Sequence, residues 1–112
     1  MQEEPEDEEV FYIVEEMPSF EGGGKDAFAK YVQEQVEKQN VAEKTGLSGK
    51  VIMEFTVNSK GKVTHIKVAE SSGHQKLDDT ASKIVTASPD WEPGKQRGKN
   101  VAVQYRIPVI FK

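Results

Sequence analysis

The sequence predicts an α+β fold in two layers: a three-stranded antiparallel sheet with two helices on one face, in the order helix–strand–strand–helix–strand. Three observations carry this. Two stretches repeat apolar residues at helical spacing. Three stretches alternate apolar and polar residues with period two. Every one of these segments has a single apolar side, and a sheet covered on one face by helices buries all of them together. With 112 residues the chain supports one core and not two.

The first helix is expected over Lys25–Gln39. Phe28, Tyr31, Val32 and Val36 fall at i, i+3, i+4 and i+8, while Lys30, Gln33, Glu34, Glu37 and Lys38 take the other side. Asn40 and Gly46 mark a loop after it. The first strand is expected over Lys50–Val57, with Val51, Met53, Phe55 and Val57 on one face. Asn58-Ser59-Lys60-Gly61 has turn chemistry, because Asn tolerates and Gly supplies positive φ. The second strand, Lys62–Glu70, offers Ile66 and Val68 to the same face. A four-residue loop sets Val51 opposite Val68, Met53 opposite Ile66, Phe55 opposite Thr64 and Glu54 opposite His65.

Ser71-Ser72-Gly73 ends that strand. Leu77, Ala81, Ile84 and Val85 then define a second helix to about Ala87, with Asp78 and Asp79 in its first turn as N-cap or dipole partners. Pro89 closes it. The last strand is the strongest: Val101, Val103, Tyr105, Ile107, Val109 and Phe111 alternate with Ala102, Gln104, Arg106, Pro108 and Ile110. Pro108 has no N–H and suits an edge or a strand end.

Composition excludes several classes. With no cysteine there is no disulfide framework, thiolate metal site or thiol nucleophile. No stretch has the length and apolarity of a membrane span, and the opening is acidic, without the basic and apolar regions of a secretory signal. The net charge of −4 is uneven. Eight of the 19 acids lie in residues 1–16, which hold no Lys or Arg, so the rest of the chain carries 11 acids against 15 bases. That excess is too small to indicate nucleic acid. Residues 1–16 read as an acidic linker or tail, partly disordered, and 17–112 as the folded domain. Within the tail, Phe11-Tyr12-Ile13-Val14 is either a strand, which can pair with and block a sheet edge, or a segment that packs only in part.

Other features carry little chemistry. Gly22-Gly23-Gly24 lacks a preceding strand and phosphate-loop spacing, and reads as a turn. His65 and His74 flank a loop with no third ligand at suitable spacing, so no metal is expected. Ser71-Ser72 has no nucleophile-elbow context. Trp91 reads as a core anchor, and Lys95–Lys99 as a solvated basic loop. No nucleophile–base set emerges, so the chain is not expected to be an enzyme, and no cofactor is expected.

Several strings in this order resemble the TonB C-terminal domain family, in the form found in Bacteroidetes. Met17-Pro18-Ser19-Phe20-Glu21-Gly22-Gly23 is similar to the family's entry to its first helix. Gly46-Leu47-Ser48-Gly49-Lys50-Val51 is similar to the lead into its first strand, and Asn58 to Val63 to its turn. Leu77-Asp78 through Pro89-Asp90-Trp91-Glu92-Pro93-Gly94-Lys95 resembles its W-x-P-G-K segment. Arg106-Ile107-Pro108-Val109-Ile110-Phe111 resembles its terminal strand. The likeness covers residues 17–112. The chain departs from the family at Glu21, where Pro is frequent, and at Lys38-Gln39, near a frequent Tyr-Pro.

The resemblance implies a periplasmic energy-transducing domain, anchored to the inner membrane in the full-length protein. Its partners would be outer-membrane TonB-dependent transporters, gripped at their TonB box by strand addition, and ExbB/ExbD through an N-terminal part. Force derived from the proton gradient would pass to the transporter, as in siderophore uptake. Met1 would then be a cut, with the acidic stretch as the end of the linker. The residues are compatible with the grip: an edge strand offers unpaired backbone groups to an extended peptide. The expected docking edge is Lys99, Asn100, Val101, Ala102, Val103, Gln104, Tyr105 and Arg106, ahead of Pro108. The alternative is a TonB-like scaffold or signalling domain of a membrane peptidase or sensor protein. A cystatin-type inhibitor is disfavoured by the two separated helices. Whether the domain also forms a homodimer is left open.

Overall fold

A computed structural model describes residues 9–112. Most of the acidic stretch Met1–Glu9, expected to be disordered, lies outside the described residues. The elements are β1 (Val10–Phe11), α1 (Lys25–Gln39), α2 (Val41–Thr45), β2 (Gly49–Val57), β3 (Val63–Glu70), α3 (Gln75–Thr86), β4 (Gly94–Gln96) and β5 (Lys99–Phe111). The fold is α+β, with α1 and α3 packed on one face of the sheet. The sheet has five strands instead of three, in the order β1-β5-β2-β3, with β4 folded back on β5. The two extra strands have two and three residues, too few for a period-two pattern to show in the sequence.

α1 matches the expected span because its periodic face, Phe28, Val32 and Val36, is buried. Asn40 (φ 51°) and Gly46 (φ 74°) both adopt the left-handed conformation that ends helices. Between them the expected loop is the short helix α2, which buries Val41. Leu77, Ala81, Ile84 and Val85 of α3 are buried as their spacing demands. From the sheet come Val51, Met53, Phe55 and Val57 of β2 and the odd-numbered residues Val103 to Phe111 of β5.

β2 is the centre of the sheet. Its pairing with β5 is antiparallel and unbroken from Gly49↔Phe111 to Val57↔Val103. Its pairing with β3 corrects the expected register. Val57 pairs with Val63 and Thr56 with Thr64, so the loop is Asn58–Lys62, one residue longer than expected. The Asn58 side chain sets that length: its Oδ1 accepts the N–H groups of Lys60 and Lys62, both at 2.9 Å. Carried onward, that register would turn His65 and Lys67 toward the core. A bulge prevents it. His65 takes φ 51°, and the next pairs are Glu54↔Lys67 and Met53↔Val68. Ile66 and Val68 thereby pack on the core, as their apolarity requires.

Trp91 is 5% exposed and anchors an aromatic cluster, as expected. Its ring centroid lies 5.3 Å from Tyr105, 5.0 Å from Phe28 and 5.5 Å from Phe20. Its Nε1 is buried without a hydrogen-bond partner among the described residues. The Trp91 backbone closes on the hairpin loop, its N–H donating to the Gly61 carbonyl at 2.7 Å. A side chain at Gly61, where φ is +83°, would sit 2.0 Å from the Trp91 carbonyl oxygen. Glycine is required there twice over, by conformation and by space.

Candidate functional site

The residues expected to form a docking edge all lie on β5, but they do not share one environment. Lys99, Asn100 and Val101 pair with Gln96, Lys95 and Gly94 of β4. Ala102 and Val103 pair in parallel with Val10 and Phe11 of β1. Gln104, Tyr105 and Arg106 lie beyond both, and among the described residues only β2 pairs with them. Of the two readings open for Phe11–Val14, the strand that pairs with this edge therefore holds for Phe11, joined by Val10, while Tyr12 and Ile13 stay exposed.

Which backbone groups face outward follows from the far end of β5. Both backbone groups of Ile110 bond to the Gln33 side chain of α1: Gln33 Nε2 donates to the Ile110 carbonyl at 2.7 Å, and the Ile110 N–H donates to Gln33 Oε1 at 3.2 Å. In a regular antiparallel ladder the N–H and C=O of one residue point to the same neighbour, and direction alternates along the strand. Even-numbered residues of β5 thus turn their backbone groups away from β2. Pro108 falls in this set, so its missing N–H costs no ladder bond. The outward lane therefore runs from Ala102, beside β1, through Gln104, Arg106 and Pro108 to Ile110, held by Gln33. Between these two ends, Gln104 to Pro108 has no strand beside it among the described residues, an open edge roughly 14 Å long at the usual strand rise.

Beside it lies a groove of about 500 Å³ lined by Tyr12, Met17, Gly24, Lys25, Gln104, Tyr105 and Arg106. Exposed apolar groups gather here: Met17 is 42% and Tyr12 68% exposed. Burial raises the Tyr105 hydroxyl above its ordinary 10.0. Sequence reasoning missed Tyr12, Met17 and Lys25, which reach the edge only through the path of residues 12–25 across the fold. The apolarity of Tyr12 and Met17 in a polar stretch was the available signal.

The Arg106 side chain is committed elsewhere. Glu54 and Arg106 pair across β2 and β5, and Arg106 Nε donates to Glu54 Oε1 at 3.0 Å. Lys67 of β3 lies 3.3 Å from Glu54 Oε2. Desolvation pushes the Glu54 carboxyl up, but the hydrogen bonds and charges of Arg106 and Lys67 outweigh it and hold it below the ordinary 4.5. This row ties three strands together on the face opposite the helices.

The two histidines stand apart in role. His65 sits in the β3 bulge with Nδ1 3.0 Å from Thr64 Oγ1, and His74 precedes α3, its carbonyl accepting the N–H groups of Leu77 and Asp78. Among the described residues no three His, Cys, Asp or Glu side chains gather as a metal site. Among the same residues no helix is long and apolar enough to cross a membrane.

Comparison with known proteins supplies the context for this edge. Residues 40–112 match the family described as Gram-negative bacterial TonB protein C-terminal. No curated protein matches the chain. Two solution structures of the Helicobacter pylori TonB C-terminal domain, differing in length, are similar to it. One is 26% identical with a TM-score of 0.52, covering 80% of this chain and 84% of that one. The other is 25% identical with a TM-score of 0.52, covering 76% of this chain and 92% of that one.

Proposed function

The chain belongs to the family of Gram-negative bacterial TonB protein C-terminal domains, and from this premise we propose that it grips the TonB box of outer-membrane TonB-dependent transporters by strand addition to β5. The observation that carries the reading is the open edge from Gln104 to Pro108, bounded by β1 and by Gln33 and flanked by the apolar groove. An extended peptide laid there meets the C=O of Gln104, the N–H and C=O of Arg106 and the C=O of Pro108, since the parallel pairing of Phe11 with Val103 turns the Gln104 N–H to the Phe11 carbonyl. At about 1 kcal/mol net per bond, those four groups supply about 4 kcal/mol, no more than association costs in lost translational and rotational freedom. Tighter binding needs side chains in the groove, where Tyr12 and Met17 offer apolar area and Lys25 a charge.

In this reading the domain works in the periplasm. A preceding linker and inner-membrane anchor couple it to ExbB/ExbD, and force derived from the proton gradient passes along β5 to the transporter. The domain has no catalytic step to perform. Strand addition suits the task, because a pull along paired strands loads several backbone bonds together.

The experiment is calorimetric titration with TonB-box peptides, natural and N-methylated at single positions. Methylation at alternate residues should abolish binding and at the intervening ones should not, the signature of one-sided ladder pairing. Arg106→Pro, which removes an outward N–H beyond β1, should weaken binding in a folded protein more than Arg106→Ala, which keeps it. Equal tolerance of methylation at every position overturns strand addition. Val103→Pro would instead damage the internal ladder, since Val103 turns its N–H toward β2.

A further inference from the structure

Part of the outward lane is already occupied by the chain itself. Val10 pairs with Ala102 and Phe11 with Val103, in parallel, and the pairing ends after these two residues. The chain then turns away, leaving Tyr12 68% and Ile13 82% exposed. Just beyond, it is fastened independently. The Glu16 N–H donates to the Lys95 carbonyl at 3.0 Å and the Lys95 N–H to the Glu16 carbonyl at 2.8 Å. The Arg97 N–H donates to the Glu15 carboxylate at 2.7 Å, and the Glu15 N–H to Gln96 Oε1 at 3.0 Å. A two-residue strand is thus joined to a fixed point by Tyr12, Ile13 and Val14.

We propose that β1 is a resident stand-in for the partner: it holds the Ala102 end of the lane in the unbound domain, and an arriving extended segment displaces it. The inference rests on the strand-addition reading above and says how that site is regulated. Ala102 belongs to the same outward set as Gln104 and Arg106, so the lane is continuous beneath β1. A partner confined to Gln104–Pro108 meets four backbone groups, whereas displacement of β1 opens the Gln104 N–H and both groups of Ala102 as well and lengthens the ladder. Strands of two residues are far below the usual five or six and are weak competitors. Fastened at Glu15 and Glu16, the displaced strand stays close and returns at high effective concentration when the partner leaves. Tyr12 lines the groove together with Gln104 and Arg106, so movement of β1 also reshapes the pocket beside the edge. The measured affinity for a partner is then the intrinsic one reduced by the fraction of time the lane stands open.

A reversible lock tests this. The chain has no cysteine, so the double variant Val10→Cys/Ala102→Cys carries one candidate disulfide across directly paired residues, at a strand spacing that a disulfide can bridge. TonB-box peptide is titrated against the oxidised and reduced forms of this full chain, with thermal melting to show that both are folded. Binding should weaken at least about tenfold on oxidation and return on reduction. Equal binding by both forms overturns the inference and leaves strand addition standing. Absence of binding by the reduced and unmodified proteins alike overturns both. The unmodified chain gives a second measurement: on saturation with peptide, the backbone amide resonance of Phe11 should move to an unpaired position, and its staying in place overturns the inference.

Discussion

The Gln33 carboxamide closes on both backbone groups of Ile110, donating at 2.7 Å and accepting at 3.2 Å. One side chain of α1 thus does what a neighbouring strand would do, and it ends the open edge of β5. Gln33→Ala should lower unfolding stability by about 1 kcal/mol, since the two bonds are solvent-accessible. Urea denaturation measures this. Peptide affinity at Gln104–Arg106 should not change.

Gly61 meets Trp91 more closely than any side chain permits, with a would-be Cβ 2.0 Å from the Trp91 carbonyl oxygen at φ +83°. Gly61→Ala should therefore cost about 2 kcal/mol or more, from conformational strain and a forced shift of the loop. A lowered denaturation midpoint with unchanged slope is the expected result.

Trp91 joins Phe20, Phe28, Phe55 and Tyr105 into one aromatic cluster. Trp91→Ala should cost about 3–5 kcal/mol, the usual loss for a large buried ring. That is a large share of the stability of a domain this size. Thermal melting followed by circular dichroism checks it.

Arg106 holds Glu54 in its ionised form across β2 and β5. In Arg106→Ala the carboxyl keeps its desolvation but loses one hydrogen bond and one positive charge, so its pKa should rise. NMR titration of the Glu54 side chain reads the shift. Lys67→Ala should move it in the same direction.

Asp78 brackets the turn before α3. Its carboxylate accepts the Ser72 N–H at 2.9 Å and the Ser72 hydroxyl at 2.8 Å, and it also bonds the Ser71 hydroxyl. Of the two expected roles, N-cap and dipole partner, Asp78 takes the second, in the first turn of α3, and braces the loop as well. Desolvation raises its pKa, but these bonds outweigh it and hold the group below the ordinary 3.8. A folded-state pKa below the unfolded one adds stability above about pH 4 and loses it as pH falls through the folded value. Asp78→Asn should flatten the acid limb of the stability–pH curve while leaving its slope near pH 8 unchanged.

The long periodic elements were legible in the sequence because their burial patterns are strong. Phe28, Val32 and Val36 place α1, and the alternation from Val101 to Phe111 places β5. The β2–β3 register was not legible. It depends on Asn58 bonding two backbone amides across a five-residue loop and on His65 accepting positive φ to restore the core face. Neither event leaves a periodic trace. β1, β4 and α2 are too short to carry a pattern of their own.

For the candidate site, the sequence by itself determined the strand: alternation and Pro108 mark β5 as an edge, and the family strings mark its kind. Only the tertiary structure decided which of its residues are available. β4 takes Lys99–Val101, β1 takes Ala102 and Val103, and Gln33 takes Ile110. The reason is physical. Side-chain periodicity encodes which face of a strand is buried, whereas the occupancy of an edge is a matter of backbone hydrogen bonds. Those are made by whichever distant segment the fold brings alongside.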